Sequence, residues 1–256
     1  MAKSITHIEF VDVPPQTAPF LARKPWVGFA LWIIFGALFA FLSVEVSRGG
    51  WVTRWDLPIA QAVYQWAKQQ PAWLVFIMRF FSAYGRDGVA LIVLALTVGW
   101  VRKGARRELR WLFFGVLGGE LWFQLFGGLV QRPRPAFKDP FETLIGYGYP
   151  SGHAATNLLL AWMVIAFLWP HVRPGFRRFL LVALPLLGVA LVCFSRMFLG
   201  LHYLTDIIAG LFLGAAWGGL VYTLIDLLHW RPSLYAPARA PAALPFTRQE
   251  GHLREE

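Results

Sequence analysis

The chain predicts an all-α membrane protein, a bundle of six membrane-crossing helices, and three observations carry that expectation. Of its 256 residues, 57% are hydrophobic and only 15% charged, too apolar a balance for an ordinary soluble domain. The apolar residues fall in long uncharged blocks, several near the roughly 20 residues needed to cross a hydrocarbon core. Within the blocks apolar and polar residues do not alternate, so strands of a closed barrel are excluded and helices remain.

Taken in order, residues 1–24 are mixed and polar and end in Arg23-Lys24. Residues 26–46 form the first span; the run is too long for a signal peptide and reads as an uncleaved anchor. Residues 48–86 are intermediate. There Asp56 before Leu57-Pro58 marks a helix start, with Ile59, Val63 and Trp66 on one face. Residues 73–81 are apolar but short and interrupted by Arg79, so helices lying along the interface are expected after the first span.

The second span is placed at 88–101, the third at 111–130, the fourth at 155–169, the fifth at 179–194 and the sixth at 205–228. Gly210, Gly214 and Gly218 recur every four residues in the sixth, a spacing that lets a neighbouring helix approach closely. One domain over 1–230 and a polar, loosely ordered tail over 231–256 complete the expected organisation.

The net charge of +10 sits at the ends of the apolar blocks, which reads as topology and headgroup contact rather than nucleic-acid binding. Arg102, Lys103, Arg106, Arg107 and Arg110, with Arg173, Arg177 and Arg178, mark one side as cytoplasmic. The loops after spans one, three and five then face outward. The lone Cys193 lies in an apolar block and says nothing of redox compartment.

Chemistry concentrates in those outer loops. After span three comes "QRPRP" with Arg132 and Arg134; at the start of span four "YPSGHAATN" with Ser151, Gly152 and His153; after span five "SRMFLGLHYLTDI" with Arg196, His202 and Asp206. Two or three arginines suit a dianion, because guanidinium forks match phosphate oxygens and stay charged. Ser151-Gly152 opens a helix, whose free N–H groups also favour an anion. His202 and Asp206, four apart, share a face if helical, and an aspartate that fixes one ring nitrogen leaves the other as a nucleophile. His153 is placed to protonate a leaving oxygen. A transporter or lipid-binding scaffold would use such arginines too, but it would give the His–Asp pair no task, and no internal repeat is present.

These residues resemble the type 2 phosphatidic acid phosphatases, the PAP2 superfamily. Its pattern is Lys, six residues, Arg-Pro; then Pro-Ser-Gly-His; then Ser-Arg, five residues, His, three residues, Asp. Pro150-Ser151-Gly152-His153 matches the second part, and Ser195-Arg196, His202 and Asp206 match the third. The resemblance implies a lipid phosphate or diphosphate phosphatase of a bacterial inner membrane, its site facing the periplasm. Undecaprenyl diphosphate, phosphatidylglycerophosphate and phosphatidic acid are the implied candidates. Transfer of a phosphoryl or phospho-headgroup to another acceptor is the alternative.

His202 would be the nucleophile forming a phosphohistidine, Asp206 its orienting group and His153 the leaving-group acid. Arg134, Arg196, Ser151 and the Gly152 backbone would hold phosphoryl oxygens, with no metal or cofactor and no obligate protein partner. The first motif departs from the pattern: Gly127 stands where the lysine belongs, so Arg132 or Lys138 is expected to supply that cation. Glu120 and Gln124, one turn apart in span three, read as a structural hydrogen bond to another helix.

Overall fold

The computed structural model describes residues 20–229; the tail expected at 231–256 lies outside them. The described chain is helical, and six of its helices are long and apolar enough to cross a membrane. They are α1 (Pro25–Arg48), α3 (Ala72–Lys103), α4 (Arg106–Val130), α5 (Gly152–His171), α6 (Phe176–Phe198) and α7, which runs Leu204–His229. A shorter helix, α2 (Asp56–Lys68), follows a 3₁₀ turn at Trp51–Trp55.

One expectation changes. Residues 73–81 do not form a separate interfacial helix; they are the first turns of α3, which continues for 32 residues. Arg79 does not stop the helix, because its side chain is more than half exposed and Nη2 donates to the Phe141 carbonyl at 3.1 Å. Tyr84–Gly88, "YGRDG", passes through as a π-helical stretch. Its two glycines and two charges hide the continuity from any count of apolar blocks. Of the segments between the first two spans, α2 alone stands as a helix of its own.

α7 is the central helix, packed against α1 and α5. The glycine spacing accounts for its closeness to α5. A Cβ at Gly210 would lie 2.3 Å from the Ser151 carbonyl, and one at Gly214 would lie 3.0 Å from that of Ala155. Backbone therefore meets backbone, and the Ser151 N–H donates to the Asp206 carbonyl at 2.9 Å. This contact joins the starts of α5 and α7. Glu120 and Gln124 bond each other at 3.0 Å within α4, and Thr156 of α5 donates to Glu120 at 3.4 Å.

Candidate active site

The sequence "SRMFLGLHY" builds a helix end that turns sharply. Gly200 takes φ +73°, and the N–H groups of Gly200 and Leu201 donate back to the carbonyls of Met197 and Arg196. That is the paired closure of a helix C-terminus, which needs a left-handed residue at this point. A Cβ at Gly200 would also meet Phe137 at 2.8 Å. The turn leaves Arg196 buried in the last turn of α6 and brings His202 back into the protein two residues later.

His202 is buried in the short connection before α7. Its Nδ1 lies 2.8 Å from the Gly148 carbonyl and its Nε2 lies 3.1 Å from Nη1 of Arg134. A carbonyl only accepts, so Nδ1 carries the hydrogen and Nε2 keeps its lone pair. Burial, then the charges of Arg196 and Arg134, hold the imidazole well below its ordinary value. The ring is a neutral base at neutral pH.

Asp206 does not make the direct bond that four-residue spacing predicts. Its Oδ2 stands 3.6 Å from Nδ1 of His202, beyond hydrogen-bond reach. The reason is local: α7 begins at Leu204, so His202 is not on the helix and the i, i+4 relation fails. Asp206 instead accepts from the Tyr203 N–H at 2.8 Å, reaching back from the third helical position to the residue before the helix. Its other oxygen takes Nη1 of Arg132 at 2.7 Å.

Arg132 is held on every side. Nη2 donates to Asp56 at 2.6 Å, Nη1 to Thr205 and Asp206 at 2.6 and 2.7 Å, and the guanidinium lies 4.3 Å from the Tyr203 ring centre. Burial opposes its charge, but Asp206 and Asp56 outweigh burial and raise its pKa. The phosphate role expected for Arg132 finds no open donor geometry here; the side chain clamps Asp56 of α2 to the start of α7. Asp56 accepts from the Thr205 N–H at 3.0 Å and so caps α7 from outside. Lys138 is exposed in a separate open groove with Lys68, Tyr64 and Asp139.

Arg134, Arg196 and Ser151 behave differently. Among the described residues, five buried side-chain polar atoms lack a hydrogen-bond partner. Four belong to these three residues: Nε of Arg134, Nε and Nη2 of Arg196, and Oγ of Ser151; the fifth is Nε1 of Trp111. Ser151 precedes α5 and makes no side-chain cap, so the first N–H groups of that helix also lack an intrahelical acceptor. Buried donors without acceptors are rare in native proteins and call for a ligand of opposite character. An anion rich in acceptor oxygens would satisfy them.

His153, in the first turn of α5, lines a cavity of about 160 Å³ together with Arg196 and Ser82. Nη1 of Arg196 donates to Ser82. Asn157 donates to the His153 carbonyl at 2.8 Å and to that of Gly85 at 2.9 Å, locking α5 to the π-helical stretch of α3. Two further cations, Arg79 and Arg86, border the same cavity. Sequence reasoning missed them, along with Gly148, because a carbonyl has no side-chain signal and the path of α3 was not visible.

Comparison with known proteins bears on the family and the fold. The model for the PAP2 superfamily matches residues 108–230. The chain is 27% identical over 170 residues to dolichyldiphosphatase of Saccharomyces cerevisiae, covering 61% of this chain and 66% of the relative. It is 32% identical over 171 residues to lipid A 1-phosphatase of Rhizobium johnstonii, covering 60% of this chain and 62% of the relative. In both cases the match spans less than two thirds of the relative's length. The fold matches the crystal structure of a transmembrane PAP2 type phosphatidylglycerolphosphate phosphatase from Bacillus subtilis. Its TM-score is 0.59 at 21% identity, over 74% of this chain and 93% of that one. Motifs and matched segment thus coincide, and residues 108–230 match the PAP2 superfamily.

Proposed function

We propose that this protein removes a phosphoryl group from a phosphorylated membrane lipid, using His202 as the nucleophile. One observation carries the reading: the unpartnered donors of Arg134, Arg196 and Ser151 are grouped with a neutral histidine whose Nε2 keeps its lone pair. Nε2 attacks phosphorus, Arg134 and Arg196 hold the non-bridging oxygens, and Ser151 with the first N–H groups of α5 completes the cradle. Each such contact, made most strongly to the charge that develops in the transition state, supplies about 3–4 kcal/mol. His153 takes up a proton when the bound phosphate dianion offsets the surrounding arginines and gives it to the departing oxygen; it then accepts a proton from the water that hydrolyses the phosphohistidine.

Asp206 keeps the site in place: it caps α7 and anchors Arg132, while the Gly148 carbonyl holds the His202 tautomer. The basic loops between α3 and α4 and between α5 and α6 support a site on the opposite side, which in a bacterium would be the periplasmic face of the inner membrane. Relatives named for dolichyl diphosphate, lipid A and phosphatidylglycerophosphate support a lipid as substrate.

The test is phosphate release by the purified protein from lipid phosphates and diphosphates, with and without an alcohol acceptor. Release is expected from at least one lipid, with a trappable phosphoenzyme. His202→Ala should lower it by on the order of 10⁴-fold or more and remove the phosphoenzyme. Wild-type-like release by a folded His202→Ala protein defeats the mechanism, and transfer to the alcohol in place of water would make the protein a phosphotransferase.

A further inference from the structure

The cavity beside His153 contains more positive charge than transfer of a single phosphoryl group requires. Arg79 and Arg86 of α3 and Arg196 of α6 line it, against one lining carboxylate, Glu142. Glu142 approaches Arg79 only at 3.9 Å, and Arg86 pairs at 2.8 Å with Asp87, which is not among the lining residues. Nε and Nη2 of Arg196 are buried without partners on the same wall. A Cβ at Gly85 would lie 3.1 Å from the His153 ring, so the π-helical stretch that carries Arg86 is pressed against the leaving-group side.

We infer that Arg79 and Arg86 form a subsite for a phosphate in the leaving group, so that the preferred substrate is a lipid diphosphate rather than a lipid monophosphate. The inference rests on the phosphohistidine reading above. Nε2 of His202 bonds to the terminal phosphorus, and the bond from that phosphorus to the bridging oxygen breaks. The electron pair stays on the bridging oxygen, which departs as a lipid monophosphate held by Arg79 and Arg86. Water then cleaves the nitrogen–phosphorus bond, releasing inorganic phosphate and restoring the imidazole. A phosphate leaving group has a second pKa of about 6, so at neutral pH it leaves with help from cations more than from a proton. An alkoxide leaving from a monophosphate depends on the proton of His153.

The experiment compares kcat/KM for a prenyl diphosphate and the matching prenyl monophosphate, using the purified full chain in detergent. Arg79 and Arg86 have side chains 52% and 68% exposed, so their glutamine variants are expected to fold. Arg79→Gln and Arg86→Gln should each lower the diphosphate-to-monophosphate ratio by about tenfold or more, the loss of one charge-assisted hydrogen bond. Arg86→Lys should recover part of it. Inhibition by the product monophosphate should weaken in parallel, and His153→Gln should harm the monophosphate more than the diphosphate. A ratio unchanged within about threefold in both variants overturns the subsite while leaving the phosphatase reading intact. No release from either lipid by the wild-type protein overturns that reading, and the subsite falls with it.

Discussion

Each end of α7 holds a buried aspartate against an arginine, yet the two ends are built on opposite principles. Asp226, in the last turn, pairs with Arg107 at 2.8 Å, and that guanidinium also meets Glu108 at 3.5 Å and lies 4.3 Å from the Trp111 ring centre. Two carboxylates face the one cation there. At the first turn, Asp206 and Asp56 neutralise Arg132, but Arg134 and Arg196 stand close by with buried guanidinium atoms unpaired. On the orientation proposed above the end at Asp226 is the inner one, and among the described residues no buried guanidinium atom there is left without a partner. The outer end has an excess of donors, which raises the energy of the free protein and which an anion would relieve. A buried arginine thus locks the fold where carboxylates answer it and is open to an anion where its donors are left over.

The largest expected effect breaks the balanced end. Arg107→Ala leaves Asp226, 1% exposed, facing the negative end of the helix dipole with no counterion. Removing one partner of a buried pair costs about 3–5 kcal/mol, so Tm in detergent should fall sharply while kcat of the remaining folded protein holds. Replacing both partners, Arg107→Met with Asp226→Leu, should recover most of the loss. An Arg107→Ala protein of wild-type Tm would show that the inner pair is not a lock.

The outer end should answer in the opposite sense. Arg196→Gln removes a buried cation with two unpaired nitrogens, so Tm should hold or rise. Activity should drop on the order of 10²–10³-fold, the usual loss of one transition-state donor. A variant that lost stability and activity together would make Arg196 a structural residue, and the contrast between the two ends would disappear.

How far the sequence revealed this contrast depends on what each residue needs in order to act. His153, Arg196 and Ser151 stand at helix termini, and the uncharged blocks disclosed those termini to within a few residues. The Gly210–Gly214–Gly218 spacing disclosed the α5–α7 contact, because small residues at one helical period have a direct steric meaning. The partners of Arg132 were hidden, since Asp56 reaches it from 76 positions away in the chain. The role of Asp206 was misread because helical spacing was applied to His202, which precedes the helix. Arg79 was read as an interruption and Arg86 as part of a connection, because the π-helical stretch at Tyr84–Gly88 looks like a loop in an apolar census.

A smaller effect sharpens the comparison through pH. Burial and the surplus guanidiniums depress His202 in the folded protein, so the unfolded chain takes up a proton first as pH falls. Stability from this residue is therefore constant above its ordinary value of 6.5 and declines below it. His202→Gln should lose less Tm than the wild type between about pH 7 and 5. The acid limb of kcat/KM due to His202 should also lie below its ordinary value. Identical Tm profiles would mean that the outer cations do not act on the ring.

The smallest effect is expected at Gly127, where relatives in the motif carry lysine. A Cβ there would lie 3.3 Å from the Tyr149 carbonyl, a tight contact against the backbone that leads through Pro150 to Ser151. Two terms oppose each other in Gly127→Ala. The helix gains up to about 1 kcal/mol from replacing glycine, while the neighbouring carbonyl must yield by a few tenths of an ångström. Tm should stay within about 2 °C of the wild type, because these terms nearly cancel and 1 kcal/mol corresponds to about 2–4 °C in a protein of this size. Catalysis is the more sensitive reading: the displaced backbone carries Ser151, so kcat/KM should fall by a few-fold, through KM. Gly127→Lys adds a cation to an end that already has an excess, and should give no gain with a lipid monophosphate. A rise of about tenfold or more would mean that the outer end lacks a charge it needs, and that the unpaired atoms of Arg134 and Arg196 are a deficit in the phosphate cradle rather than its sufficient complement.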